Sequence, residues 1–303
     1  MKPKLKAIRD DIIHTTKELF RFSVSRESQA IVLFDDGEHL ISRFEQLGET
    51  DDIDKAIEYL TRAVGLLPQG HSAMPAILDR LGYAYNRRFK TTAVIGDINQ
   101  SIKYKRLAVQ DVTQSHEDLP SWLSNLGNSY ELRFWRLSEP SDIDDAIAYH
   151  TRAIALTPSG HRYLPGRLRD LGNAHYHRFT KLGHLGDIDQ AVQYQTHAVN
   201  LTPEGHPSLV SHLISLGTSY ERRFQRLGQL EDSNNAIKLK SRAIAFAPED
   251  HPDLPSQLDS LGISYESRFW RLGKPEDIDK AIELKTHRGP EKYGMSDHNR
   301  RIL

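Results

Sequence analysis

The sequence predicts an all-α protein, an α-solenoid of antiparallel helix pairs, and three observations predict it. The first is a fixed period of 45 residues: Leu-Gly falls at Leu81-Gly82, Leu126-Gly127, Leu171-Gly172, Leu216-Gly217 and Leu261-Gly262, and Arg-Phe recurs six times from Arg43-Phe44 to Arg268-Phe269. A repeat of that length is one supersecondary unit that buries its apolar face against its neighbours. The second is helical spacing inside each unit, as in Leu78, Leu81, Tyr85 and Phe89 on one stripe. The third is punctuation, with a glycine or proline wherever a stripe ends.

Each unit resolves into two helices. Helix A carries the Leu78 stripe, and Gly82 lies on that stripe. A glycine inside a helix costs about 1 kcal/mol against alanine, so its recurrence implies close approach by a neighbouring helix. Helix A is expected at 30–47, 75–92, 119–137, 164–182, 209–227 and 254–272. It ends where Gly48, Gly183, Gly228 and Gly273 follow a leucine, the left-handed C-cap position. Asp52, Asp97, Asp142, Asp187 and Asp277 then stand where an aspartate caps free N–H groups and faces the positive helix end. Helix B is expected at 52–67, 97–112, 142–157, 187–202, 232–247 and 277–287, with Ala56, Ile57, Leu60, Ala63 and Val64 on its inner face. Pro68, Pro158, Pro203 and Pro248 stop it, and Pro75, Pro120, Pro165 or Pro255 opens the next helix A. The expected organisation is a degenerate capping helix within 1–29, an array over 30–287 and a divergent tail at 288–303. The last helix B loses its pattern at His287-Arg288-Gly289-Pro290, which suggests a truncated or rearranged relative of a longer protein.

Composition narrows the function. Lys and Arg number 40 against 41 Asp and Glu in 303 residues, so no whole-molecule field draws nucleic acid or an anionic membrane. There is no cysteine, which removes disulfides, thiolate metal sites and a cysteine nucleophile. No apolar run of about 18 residues exists and the start, Met1-Lys2-Pro3-Lys4, is charged, so a cytoplasmic location is expected.

The units resemble the tetratricopeptide repeat (TPR). Leu126-Gly127 and Tyr130 match its helix A, Ala146 and Ala153 its helix B, and Pro158 its end, with Trp122 four residues before Leu126. Ser101, Thr113 and His175 depart from that pattern as scattered single changes. The usual period is about 34 residues, so this is a long variant with a longer helix A and exit. Leu-Gly-Asn-Ser-Tyr-Glu at 126–131 and Thr-Arg-Ala-Ile at 151–154 also resemble the arrays of fungal proteins that precede a CHAT domain, a caspase-like protease fold.

The recurring polar residues read as architecture. His71, His116, His161, His206 and His251 lie one per repeat, too far apart for one metal ion, and each is expected to order its own loop. The Arg-Phe arginines are expected to bridge helices to Asp54, Asp144, Asp189 or Asp279, or to stack on the Tyr85-type ring. Positions that vary between repeats are better binding candidates. By the resemblance, helix A lines the concave surface, which places Tyr83, Asn86, Arg87, Asn128, Glu131, Asn173, Tyr176, His177, Thr218, Arg222 and Glu266 in the groove, beside Asp79, Ser124, Arg169, Glu221, Asp259 and Ile263. Trp135 and Trp270 follow the Arg-Phe pair in two units, where either exposure at a helix end or packing on the extended loop is open to them. No Walker loop, HExxH helix or nucleophile elbow appears. The expected function is a non-enzymatic scaffold that needs no cofactor or metal and binds a protein or peptide, not nucleic acid or membrane. The alternative is a regulatory or sensor arm whose CHAT-type effector is lost or encoded elsewhere.

Overall fold

A computed structural model describes residues 25–246 and 252–286, and among these there are twelve α-helices and no strand. In chain order they are α1 (Arg26–Leu47), α2 (Thr50–Leu66), α3 (Met74–Thr92), α4 (Ile95–Gln110), α5 (Leu119–Leu137), α6 (Pro140–Ala155), α7 (Leu164–Leu182), α8 (Leu185–Leu201), α9 (Leu209–Leu227), α10 (Leu230–Phe246), α11 (Leu254–Leu272) and α12 (Pro275–Thr286). Odd helices are the A helices and even ones the B helices. The expected cap within 1–29 (except its last residues, which open α1), His251, Pro248 and the tail lie outside the described residues.

The helices form two compact units, divided after Leu156. In the first, α1 pairs with α2, α3 with α4 and α5 with α6, and α3 also touches α1 and α5. In the second, α7 to α12 pair in the same way, and α9 also touches α7 and α11. This is solenoid packing, each A helix meeting its own B helix and, within its unit, the A helix beside it. The cores are the expected stripes: Leu81, Ile98, Leu126, Phe134 and Ile143 in the first unit, and Leu171, Ile188, Leu213 and Ala243 in the second, are all buried.

Local chemistry sets the boundaries. Ser25 accepts a bond from the Ser28 N–H at 3.1 Å, so α1 starts four residues before its expected first residue. The A helices end in left-handed residues: Gly48, Gly183, Gly228 and Gly273 have φ of 69–76°, and their N–H groups bond a phenylalanine carbonyl. In the other two repeats Ala93 and Ser138 take φ of 57° and 59° at that place. The expectation that the aspartates cap helix B is corrected. The B helices begin two residues earlier, with Glu49, Val94, Glu139 and His184 as N-caps that make no side-chain cap bond. The aspartates sit in the first turn, and their carboxylates turn instead to the preceding arginine. Arg88 bonds Asp97 at 2.9 and 2.6 Å, and Arg178 bonds Asp187 at 2.8 and 2.7 Å. Arg43–Asp52, Arg133–Asp142, Arg223–Asp232 and Arg268–Asp277 repeat the fork, which suits a planar guanidinium on a carboxylate. Both expected arginine contacts are also made: Arg88 reaches Asp54 at 2.7 Å, Arg223 reaches Asp189 at 2.9 Å, and Arg88 lies 5.3 Å over Tyr85.

The loop histidines act as expected. The Nδ1 atoms of His71, His116, His161 and His206 accept N–H bonds from Ala73, Asp118, Tyr163 and Ser208 at 3.1–3.2 Å. The recurring arginines, the first-turn aspartates and the four described loop histidines are thereby engaged in holding the frame.

Candidate functional site

Each B helix carries one position of variable chemistry, buried in all but the last. Leu60, Lys105, His150, Gln195, Lys240 and Lys285 stand at 45-residue spacing. Each packs on the in-helix glycine of its own A helix. A Cβ on Gly82 would lie 2.6 Å from Lys105 Cγ, and one on Gly127 would lie 2.7 Å from the His150 ring. The glycine therefore makes room for a side chain on the facing helix. Nineteen residues before each stands an A-helix residue: Ile41, Asn86, Glu131, Tyr176, Glu221 and Glu266. Ile41 and Leu60 are both buried hydrophobics. Glu131 meets His150 at 2.9 Å, and Glu266 accepts from Lys285 at 2.5 Å.

The Asn86–Lys105 pair opens into a cleft of about 290 Å³. Tyr83, Asn86 and Lys90 come from α3, Lys105 from α4, and Asn125, Asn128, Glu131, Leu132 and Trp135 from α5. These spacings follow from the helix: Asn125, Asn128, Leu132 and Trp135 lie three or four apart and share one face. The Lys105 Nζ donates to the Asn125 carbonyl at 3.1 Å and to Ser129 Oγ at 2.8 Å. Asn86 Nδ2 donates to the same Ser129 Oγ at 3.2 Å. Asp79 lies beneath and accepts from Asn125 Nδ2 at 3.0 Å. Burial pushes the Lys105 amine down to about 8; the Asp79 charge opposes this, while the Lys90 and Arg80 charges add to it. Burial likewise raises the Asp79 carboxyl, against the pull of Lys105 and Asn125.

Of the eleven expected groove residues, the cleft gathers four: Tyr83, Asn86, Asn128 and Glu131. Asn128 is exposed, and Tyr83 is half-buried with its hydroxyl bonded to Glu45. Asn86 and Glu131 are buried and form wall rather than open surface, because each bonds a facing helix. Asp79, Ser124 and Glu221 are buried too. Arg87 lies outside the cleft, 3.3 Å from Glu45. In the second unit Asn173 accepts from Gln195 at 2.9 Å, Thr218 bonds the Ile214 carbonyl at 2.8 Å and Arg222 bonds Gln225 at 3.1 Å. Tyr176 and His177 meet edge to face at 5.7 Å, and Glu266 holds Lys285. Sequence reasoning missed the place of Lys105 in a site. The available signal was a lysine on the apolar stripe Ile98, Ile102, Lys105, Ala108 and Val109. Of the two readings open for Trp135 and Trp270, the structure shows exposure, by 42% and 76%.

No family model matches the chain, and no curated protein matches it. Solved structures do. A Podospora anserina protein with nearly identical TPR-like repeats is similar with a TM-score of 0.52 at 15% identity, over 71% of this chain and 98% of that one. The C-terminal part of a TPR repeat-containing protein from Cytophaga hutchinsonii gives 0.53 at 13% identity, over 86% and 84%. The fold is a TPR-like α-solenoid. Its TPR-like helix pairs recur here every 45 residues, as the A-helix starts Met74, Leu119, Leu164, Leu209 and Leu254 record. No described helix is long and apolar enough to cross a membrane.

Proposed function

We propose that the chain is a protein–protein interaction scaffold that receives a peptide or protein on the face of its A helices, with the cleft between α3 and α5 as a principal contact. One observation carries this reading. The polar residues that recur in every described repeat hold the frame, whereas the cleft is lined by residues that differ from repeat to repeat. A frame kept constant with a variable lining suits recognition. The mixture of amides, lysines and aromatics supports a peptide held by several modest contacts. Catalysis is not part of the reading.

Affinity capture from the source cells tests it, with wild type beside a Tyr83→Ala/Asn128→Ala/Trp135→Ala variant. A partner retained by wild type and lost from an equally helical variant is the expected result. Equal retention, or no partner at all, overturns it. The wording of the units at 126–131 and 151–154 favours a second reading, a regulatory arm of a signalling system with a CHAT-type effector. A captured partner carrying a caspase-like domain would select that reading.

A further inference from the structure

Most cations of the second unit are paired. Arg178, Arg223 and Arg268 fork their aspartates, Arg242 holds Glu204, and Lys240 and Lys285 hold glutamates. Arg226, Arg271 and Lys274 are different. They are exposed, make no ion pair or hydrogen bond among the described residues, and stand together where α9 and α11 end. Lys181 holds the same repeat place as Arg226 and Arg271 at the end of α7. Apolar side chains share this edge: Leu185, Leu227, Leu230, Trp270 and Leu272 are 39–76% exposed. A single exposed leucine is ordinary on a protein surface, but these recur at the turn from A helix to B helix in three successive repeats. The turns adjoin. Helix α9 touches α7 and α11, and Gln225 Nε2 donates to Ser267 Oγ at 3.1 Å. A Cβ on Gly228 would meet the Arg271 guanidinium, so the end of α11 is laid over the left-handed cap of α9. Each turn of this edge therefore offers a cation and an exposed leucine, with Trp270 added at α11.

We infer that the A-to-B turn edge of the second unit is a docking surface of its own, and that its occupant is an acidic peptide segment with apolar residues interleaved. The inference goes beyond the scaffold reading, because these turns belong to α7–α12 and the cleft to α3–α5. Charge complementarity calls for the acids. Carboxylates of the segment meet Arg226 and Arg271, whose planar forks suit them, and Lys274 as a point charge. Leucine or phenylalanine between the acids covers Leu227, Leu230 and the Trp270 ring. Packed helices lie about 8–10 Å apart and an extended chain advances about 3.3 Å per residue, so an apolar residue at every third position meets successive turns. Glu231 and Glu276 are exposed in the first turns of α10 and α12, beside the stripe. A flat anionic membrane would meet these carboxylates along with the cations, whereas a narrow segment runs past them, which favours a polypeptide over a lipid surface.

The full chain is titrated with a fluorescein-labelled peptide of about twelve residues that repeats Glu-Glu-Leu, beside Gln-Gln-Leu and Glu-Glu-Ser versions. Anisotropy and the Trp270 indole NMR signal report binding. Saturable binding of the first peptide is expected, at least about tenfold weaker for each of the other two. Arg226→Glu/Arg271→Glu and Leu227→Ser/Trp270→Ala should each weaken it at least about tenfold. Their side chains are exposed, so the helical spectrum should match wild type. Tyr83→Ala/Asn128→Ala/Trp135→Ala, in the cleft, should bind the peptide as wild type does. Equal binding of the glutamate and glutamine peptides overturns the inference, as does unchanged binding by Arg226→Glu/Arg271→Glu or the absence of saturable binding. Loss of binding in the cleft variant alone also overturns it and moves the peptide to the cleft. Phosphatidylcholine vesicles carrying phosphatidylserine are the second probe. Failure to cosediment with them supports a polypeptide occupant, and cosedimentation that the peptide does not displace overturns it in favour of a lipid surface.

Discussion

Arg133 grips Asp142 through two parallel hydrogen bonds, 2.9 Å from Nε and 2.6 Å from Nη2, across the turn from α5 to α6. The carboxylate is buried and the guanidinium about a quarter exposed. Loss of the carboxylate strands a partly desolvated cation beneath the Tyr130 ring, 5.4 Å from it. Asp142→Ala should therefore cost about 2–3 kcal/mol in urea unfolding, below the full penalty of a wholly buried pair because Arg133 reaches water. Arg133→Lys keeps the charge and loses the fork, so a smaller loss is expected. A silent Asp142→Ala would remove the pair from the architecture.

His212 makes the second unit sensitive to acid. It is buried on α9, with Nδ1 2.9 Å from Thr202 Oγ1. The Thr202 hydroxyl already donates to the Ala198 carbonyl at 2.7 Å, so Nδ1–H must be the donor to it. Nε2 is then the bare nitrogen, buried without a partner. Burial, with the charges of Arg169 and His206, pushes the imidazole down to about 4. The unfolded chain takes up its proton near pH 6.5, before the folded one does, so this contribution is intact above that pH. It falls between pH 6.5 and 4 by on the order of 2 kcal/mol. His212→Gln, the residue that Gln257 supplies in the next repeat, should flatten that part of the stability–pH curve. An unchanged slope would acquit His212.

The helix pairs, their period and the glycine ends of the A helices were legible because each is written by local chemistry: stripes at helical spacing, glycines at left-handed positions and prolines at starts. The role of Asp97 was legible only in part. Its place beside Ile98 suits a cap, but the Arg88 fork that claims it depends on how two helices meet. The cleft was legible by half. Tyr83 and Asn128 followed from the A-helix face, whereas Lys105 belongs to helix B and reaches the site only because Gly82 lets it cross. The burial of Asn86 and Glu131 was hidden for the same reason, since variability marks a special pair as readily as a surface.

Two glycines six residues apart in α7 should respond oppositely to alanine. A Cβ on Gly166 meets nothing within 4 Å, so Gly166→Ala gains helix propensity and should stabilise by about 0.5 kcal/mol. A Cβ on Gly172 would lie 2.6 Å from Gln195 Cγ and 3.1 Å from the Ala191 carbonyl. The side chain can move and the backbone cannot, so Gly172→Ala should destabilise by about 1–3 kcal/mol. Chemical denaturation of the two variants measures both signs. A gain at Gly172 would disprove the close approach of α7 and α8.

Ala93 and Ser138 do the work of glycine without being glycine. Each closes an A helix at positive φ, 57° and 59°, with its N–H bonded to a phenylalanine carbonyl at 2.7 Å. A side chain in that region costs about 1–2 kcal/mol. Glycine removes that cost but gains freedom in the unfolded chain, which returns about 0.5–1 kcal/mol. The first effect is the larger, so Ala93→Gly and Ser138→Gly should each stabilise by about 0.5–1 kcal/mol, as Gly48 already does at the equivalent place in the first repeat. The two sites are one repeat apart and share no partner, so the double variant should show the sum within about 0.5 kcal/mol. Thermal unfolding by circular dichroism reads this as a small rise in Tm for each, and a fall in either would mean that the left-handed turn is not kept in solution.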